Sequence, residues 1–392
     1  MEKILAVNPG SASRRYALYD GGKELWWAHF EKDDGGFVVK VVENGKSSTI
    51  KISKSDFDNS VGFFKERIKD ASVIGVRVVA PGQYFLENRK IDAGFLKKLR
   101  AAKEQAPLHV APALLEIERV MKILPKAKMF AISDSAFYAN MPANAKLYSL
   151  PRKVAEKFGI YRYGYHGVSI ASVVGKIEKI SGQMPKQVVI CHLGSGSSVV
   201  AVKNGGAFDA SMGFTPLEGL PMGTRIGNID AGAVIYLAKK MFSGGESASG
   251  GKMSIDKLGE FFNHECGLLG LSGKTSDVRE LLDLENKGDA GAAQALNSFV
   301  YGVQRLIGAY MATMGGLDLL VFTATIGERS FIMRRRICAG LEEMGIKLDM
   351  HKNDAAVSRD EFISAADSPV KIAVIVTDEL KQIYNAVPSS YK

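Results

Sequence analysis

Sliding the chain against itself brings residues 4–13 onto residues 188–197 without a gap, and this match constrains the fold more than any other feature. Ile4-Leu5-Ala6-Val7-Asn8-Pro9-Gly10-Ser11-Ala12-Ser13 lies on Val188-Val189-Ile190-Cys191-His192-Leu193-Gly194-Ser195-Gly196-Ser197. Each copy reads as an apolar strand, a Gly-Ser-x-Ser turn and a second strand, closed by Asp20-Gly21-Gly22 in one and Asn204-Gly205-Gly206 in the other. Such closing turns are hairpin chemistry, and a Gly/Ser turn offers backbone N–H groups and hydroxyls to an anion. Each of two related halves therefore opens with a β-hairpin. Two unrelated hairpins that share turn residues are the competing account, against which the in-register closing turns weigh.

Length agrees with two halves, because 392 residues exceed what one hydrophobic core usually serves. Runs rich in Val, Ile, Leu and Phe, without strict alternation, predict strands buried on both faces at 4–7, 73–79, 129–133, 188–193, 319–323 and 372–376. Helical spacing predicts helices over 95–104, 113–123, 229–241, 292–314 and 331–343. Strands alternating with helices imply an α/β fold with mixed sheets. Residues 243–252, rich in Gly and Ser, have nothing to pack and predict a mobile surface loop.

No run reaches the roughly 18 to 20 uncharged apolar residues of a membrane helix. The four apolar residues before Asn8-Pro9-Gly10 are too few for a signal peptide. The expectation is a soluble, cytoplasmic protein without a membrane partner. Cys191, Cys266 and Cys338 share no CxxC spacing and read as reduced core thiols, not as a disulfide framework or a zinc site. The balance of 51 Lys+Arg against 42 Asp+Glu gives +9, which raises the question of nucleic acid. The cations are scattered, however, with Arg334-Arg335-Arg336 the only triplet, and no aromatic-basic RNA signature accompanies them. No nucleic-acid partner is expected; a positive field that draws in phosphates and carboxylates is.

The predicted strands run out into polar groups, the arrangement that open α/β sheets use for binding sites. Asn8 follows Val7, Arg77 sits in Gly75-Val76-Arg77-Val78-Val79, Asp134 follows Ser133, and Asp378-Glu379 follow the last strand. His192 ends the second hairpin's first strand, and Gly327 and Glu328 follow Phe322-Thr323-Ala324. An Arg within a Val-rich strand needs an anion beside it, either a structural carboxylate or a ligand. Arg225 follows a Gly/Pro-punctuated loop from Gly213, a shape able to close over a ligand. Two guanidinium forks and a His suit a migrating phosphoryl group, whose oxygens carry negative charge in the transition state. Gly270-Leu271-Ser272-Gly273-Lys274-Thr275 imitates a P-loop ending, but Leu268 stands where the first glycine is required and no strand precedes it, so a Walker A loop is excluded.

Three further blocks make a resemblance specific: Tyr163-Gly164-Tyr165-His166-Gly167, residues 211–219 through Gly223-Thr224-Arg225, and Gly267-Leu268-Leu269-Gly270-Leu271-Ser272-Gly273 leading to Ser276-Asp277. On these the chain, from Ile4 to about Leu380, resembles the acetate kinases of the acetokinase family, within the actin, sugar-kinase and heat-shock-protein superfamily. The resemblance implies a duplicated two-lobed actin-like (ribonuclease-H-like) fold with an active-site cleft between the lobes. The expected N-terminal acyl-substrate/phosphate lobe is 1–149 plus 380–392, and the C-terminal nucleotide-binding and dimerisation lobe is 150–379. It implies reversible phosphoryl transfer from ATP to acetate, giving acetyl phosphate and ADP, with magnesium or alternatively manganese, in a homodimer.

By the same resemblance Asn8 and Glu379 serve the metal, and Arg77 binds the substrate carboxylate. Arg225 and His166 stabilise the phosphoryl in flight, and Asp134 is the family's acid/base residue. Acetate, with a pKa near ~4, has no proton to lose at pH 7, so orienting Arg77 or a metal-bound water is the more economical role for Asp134. Val79, Leu108, Tyr165 and Pro216 match the methyl pocket. Ser11, Ser13, Arg15, His192, Leu193, Gly194, Ser195, Gly196, Asp277, Val278, Arg279, Thr325, Ile326, Gly327, Glu328 and Arg329 match nucleotide- or phosphate-binding segments. Ser276-Asp277 is equally good capping chemistry for a helix, and His166 could be a satisfied core histidine. The chain departs from the family's pattern at Val76 and Ala80, which replace histidines around Arg77. It departs also at Tyr138 and Ile170, again for His, at Ser195 for Asn, at Tyr165 for Phe and at Thr325 for Gly. These departures keep three alternatives in view: a propionate- or butyrate-preferring kinase, a pyrophosphate-using one, and a catalytically silent nucleotide or acyl-phosphate sensor.

Overall fold

The computed structural model describes residues 2–10, 13–33, 36–242 and 254–392; Ser11 and the Gly/Ser stretch 243–252 lie outside the described residues. The chain divides into two compact units. The first comprises residues 1–140, 150–175 and 377–392, the second residues 141–149 and 176–376.

The first unit carries an eight-stranded sheet: β1 (Lys3–Pro9), β2 (Ser13–Asp20), β3 (Lys23–Asp33), β4 (Gly36–Glu43), β5 (Lys46–Ile52), β6 (Ala71–Val78), β7 (Arg89–Lys90) and β8 (Lys128–Ser133), in the order 5-4-3-2-1-6-8-7. The central strand β1 is buried on both faces. Leu5 and Val7 join a core with Tyr16, Phe30, Val76 and the helices Ala93–Ala102 and Pro107–Ile123. Ile4 and Ala6 pack with Ala17, Val73, Ile383 and Val387 on the other face. The helix Glu379–Ala386 lies so close to β6 that a Cβ on Gly75 would sit 2.8 Å from Ile383 Cγ2, which is why this apolar strand carries a glycine.

The second unit carries β9 (Gln187–Leu193), β10 (Ser197–Lys203), β11 (Gly206–Ala210), β12 (Leu319–Thr323), β13 (Glu361–Phe362) and β14 (Lys371–Val374), in the order 11-10-9-12-14-13. The long helix Ala290–Met314 covers one face and supplies Phe299, Val303 and Ile307 to the core. Five strands repeat between the units. β3-β2-β1-β6-β8 and β11-β10-β9-β12-β14 share one order, with antiparallel pairs up to the hairpin and parallel pairs after it. The duplication seen in 10 residues thus extends over five strands of each sheet.

All six predicted strands form. The 331–343 helix is shorter than predicted, Phe331–Cys338 followed by a 3₁₀ turn at Glu342–Met344, because Gly340 takes φ +81° and ends the regular turn. Strands β3 to β5 have no counterpart in the sequence reading; β5 is almost wholly exposed, so its residues carry no apolar run. Residues 150–175 belong to the first unit because the loop before the helix Gly167–Ser181 hydrogen-bonds back to Ser135 and Asp134. Among the described residues no helix is long and apolar enough to cross a membrane.

Candidate functional site

Asp134 is the hub of the first unit's polar cluster. It follows β8, and its carboxylate accepts four hydrogen bonds. Oδ1 takes Arg77 Nε at 3.0 Å and the Val168 N–H at 3.3 Å, and Oδ2 takes an Arg77 terminal nitrogen at 2.9 Å and the His166 N–H at 2.7 Å. Arg77 also donates to Asn8 Oδ1 at 3.3 Å, and Asn8 Nδ2 donates to Glu379 Oε2 at 2.7 Å. A strand end, a helix start and a loop are thereby joined across residues 8, 77, 134, 166 and 379. Of the five N–H groups of Arg77, two remain without a partner among the described residues.

Electrostatics bind this cluster tightly. Burial alone would raise the Asp134 carboxyl, but the charge and hydrogen bonds of Arg77 and the two backbone N–H groups outweigh it and hold the carboxyl below the usual carboxylate range. Burial alone would likewise depress Arg77, yet Asp134 and then Glu379 keep its guanidinium above its ordinary value. Asp134 is 0% exposed and every lone-pair direction meets a donor, so it is an ionised anchor with no capacity for proton abstraction.

The Tyr163–Gly167 block owes its composition to the same anchor. His166 sits at φ +61°, a left-handed conformation that costs a non-glycine residue about 1 kcal/mol or more and that its N–H bond to Asp134 helps to hold. Gly164 is also left-handed, and a Cβ there would run into the Tyr138 ring; a Cβ on Gly167 would run into the Asp134 carbonyl. Tyr138, at a family histidine position, donates to the Tyr165 carbonyl at 2.6 Å. Tyr165 is buried, whereas Val79, just beyond β6, and Leu108, in the first turn of Pro107–Ile123, are half-buried. Sequence reasoning missed two supports of Glu379: Ser169 pairs with Thr377 at 2.8 Å, and Ser172 accepts the Asp378 N–H at 2.8 Å. Both serines project from one face of the helix Gly167–Ser181, a spacing of three that could have signalled them.

In the second unit the Arg225 loop and the Gly267 block are one structure. Leu268 N–H donates to the Met222 carbonyl at 2.8 Å, Leu269 N–H to Gly223 at 2.9 Å and Cys266 N–H to Thr224 at 3.1 Å. Gly267, at φ +61°, has no room for a Cβ against the Met222 and Arg225 carbonyls. Pro216 lies in the same unit, in a loop tied by Tyr148 to Glu218 and to the Phe214 N–H at 2.8 Å. In the second hairpin turn the Ser197 hydroxyl is engaged internally with Gly194, at 2.9 Å to its carbonyl, so anion contacts there fall to the backbone and to the exposed Ser195. Leu193 is a core residue, and His192 is buried on β9 beside Thr323. Gly194 faces Ala324 and Thr325, which brings the turn 193–196 against the segment 324–329.

Within that segment Thr325 and Arg329 are exposed and Ile326 is half-buried. Glu328 is turned inward within the helix Ala324–Arg329, accepting the N–H of that helix's first residue, Ala324, at 2.9 Å. Asp277 caps the helix Val278–Asn286 through the Arg279 N–H at 2.7 Å and pairs with the Arg279 side chain, while Val278 is buried. In the first unit Ser13 opens β2, and the exposed Arg15 is paired in register with Asn8, on the same sheet face. Among the described residues no three His, Cys, Asp or Glu side chains converge as a metal cage.

Comparison with known proteins extends these findings to the whole chain. The model of the acetokinase family matches residues 3–385. The acetate kinase of Acetivibrio thermocellus is 37% identical over 398 residues, 97% of each chain. That of Bacillus mycoides is 36% identical over 395 residues, 97% of this chain and 96% of the other. Among solved structures, Porphyromonas gingivalis acetate kinase matches with a TM-score of 0.83 and 31% identity over 98% of both chains. A propionate kinase from Francisella tularensis matches with a TM-score of 0.86 and 32% identity, covering 98% of this chain and 99% of that one.

Proposed function

Since the chain belongs to the acetokinase family, we infer that it is an acetate kinase, moving a phosphoryl group reversibly between ATP and acetate. In the forward direction an acetate oxygen bonds to the γ-phosphorus, the bond from that phosphorus to the bridging oxygen breaks, and ADP leaves. The observation that carries the mechanism is the four-donor shell of Asp134, which leaves it no role as a base and makes it the support of Arg77 and His166. The two remaining N–H groups of Arg77 suit a bidentate carboxylate. Acetate, already ionised, then needs orientation and neutralisation of charge, not deprotonation. Val79, Leu108 and Tyr165 are proposed to surround its methyl group, with Pro216.

His166 and Arg225 are proposed to neutralise charge on the phosphoryl oxygens. The rigid backbones around both residues support this, since a preorganised donor costs no reorganisation during the reaction. Ser11, Ser13, Arg15, the segment 192–196, Asp277 to Arg279 and the segment 325–329 are proposed for phosphate and nucleotide. Most residues proposed for the acyl substrate, Pro216 excepted, belong to the first unit, and most of those proposed for the nucleotide, Ser11, Ser13 and Arg15 excepted, belong to the second.

Magnesium is the proposed metal. Asn8 and Glu379 offer oxygen donors without a closed protein cage, which fits an ion that keeps several waters and binds through phosphates. Bound there, it would neutralise phosphate charge. A homodimer through the second unit is proposed from the exposed apolar side chains Ile235, Tyr236, Leu271 and Tyr301, and the cytoplasm as its compartment. A hydroxamate assay for acyl phosphate tests the reading with acetate, propionate and butyrate, each with ATP and with pyrophosphate. Acetate with ATP should give the highest kcat/KM. Turnover with pyrophosphate alone, or nucleotide binding without turnover, would overturn it.

A further inference from the structure

The second unit holds a cavity of about 800 Å³ where β9, β12 and β14 begin. The residues assigned to the nucleotide follow the opposite ends of β9 and β12, so this cavity is separate from the phosphoryl-transfer machinery. Its volume lies within the range of roughly 300 to 1,000 Å³ typical of small-molecule sites.

Its lining has two characters. Leu319 and Phe362 supply an apolar wall, while three exposed lysines, Lys186, Lys352 and Lys371, also line the cavity. Asp318 is the one carboxylate in the lining, and its Oδ2 is already engaged by the Gln187 N–H at 2.9 Å. Lys186 and Lys371 have no ion-pair partner among the described residues, and Lys352 has only Asp349 at 3.7 Å. Ser364 also lines the cavity. Three cations against one engaged carboxylate favour an anion, and the aromatic and aliphatic side chains beside them favour an apolar body attached to it.

We propose that this cavity is a second ligand site, built for a small amphipathic anion. The anionic head, carboxylate, sulfonate or phosphate, lies among Lys186, Lys352 and Lys371, and the apolar body lies on Leu319 and Phe362. A neutral apolar molecule leaves the three ammonium groups unmatched, and a compact inorganic anion leaves the apolar wall wet.

The probe is 8-anilinonaphthalene-1-sulfonate, titrated by fluorescence and calorimetry into the full chain with excess Mg-ATP, which keeps the probe out of the nucleotide site. The expected result is saturable one-site binding that weakens at least tenfold in Lys186→Glu/Lys371→Glu and is lost in Ala365→Trp, a substitution that fills the cavity. Acetate kinase kcat should stay within twofold of the unaltered chain in both variants. N-phenyl-1-naphthylamine, the uncharged counterpart, should bind at least tenfold more weakly. If the double variant loses kinase activity, the comparison is read from Lys186→Gln, at an exposed position, with at least a threefold loss expected. Binding within twofold of the unaltered chain in the charge variants, or equal binding of the uncharged compound, overturns the proposal.

Discussion

Replacing Asp134 by Asn separates an anchoring role from a general-base role. The carboxylate accepts four hydrogen bonds at 2.7 to 3.3 Å, two from Arg77 and two from the backbone at His166 and Val168. An amide keeps one oxygen, which can serve one pair of these donors, and turns an NH₂ toward the other pair, setting donor against donor. It also removes the counter-charge of a guanidinium whose side chain is only 16% exposed. Breaking a buried pair by removing one partner costs about 3 to 5 kcal/mol, and that is the expected fall in unfolding free energy. Because the released Arg77 no longer holds its two forward N–H groups in place, the KM for acetate should rise by roughly 10- to 100-fold, as for loss of a charged hydrogen-bonding partner. The KM for ATP should move much less.

Urea unfolding and the hydroxamate assay over pH 5 to 9 measure both effects. In the folded chain the Asp134 carboxyl is depressed below its ordinary 3.8, so its stabilisation is present above that value and disappears as pH falls through the lower, folded value. Asp134 should therefore contribute no limb to the pH-rate profile between 5 and 8. An Asn variant that unfolds like the parent, or one whose only change is loss of a titration near neutral pH, would refute the anchoring argument.

Three further outcomes follow from the same reasoning. Gly164→Ala should destabilise the fold by about 2 kcal/mol or more, because its φ is +73° and its Cβ meets the Tyr138 ring; a thermal melt unchanged within 1 °C would contradict this. Arg225→Ala should lower kcat by roughly 10³ or more with little change in stability, and a loss under tenfold would remove Arg225 from the proposed role. Burial, with Arg15 and Lys40 nearby, pushes His29 down to about 4 from 6.5, so on acidification the unfolded chain takes up this proton first and stability falls between pH 6.5 and 4. Because His29 is partly open to solvent, His29→Gln should recover roughly 1 to 2 kcal/mol of that loss, measured as the difference between urea midpoints at pH 7 and pH 4.5.

Much of the architecture was legible before the coordinates. β1, β6, β8, β9, β12 and β14 are buried on both faces, so each appears in the sequence as a continuous apolar run. The strands β3 to β5 were not legible, because a strand with a solvated face loses that run and its pairing partners are supplied from elsewhere. Asp134, Arg77 and Asn8 stood out as polar residues at strand ends. The two serines behind Glu379, Ser169 and Ser172, did not, since their one signal is a spacing of three on a helix face, which does not name their partners. Asp277 and Glu328 show the converse: the resemblance put both in nucleotide segments, and in the fold Asp277 caps a helix while Glu328 holds the Ala324 N–H.

By itself the sequence determined the duplication, the strands buried on both faces and the Gly-rich hairpin turns, because hydrophobic period and turn chemistry act over a few residues. Only the tertiary structure decided that one carboxylate, 57 residues from its guanidinium and 32 from the His166 backbone, would be wholly desolvated and met by four donors. Ionisation and hydrogen-bond capacity depend on what surrounds a group in space, and for Asp134 those surroundings exist only once two distant segments, β6 and the stretch 166–168, have closed upon it.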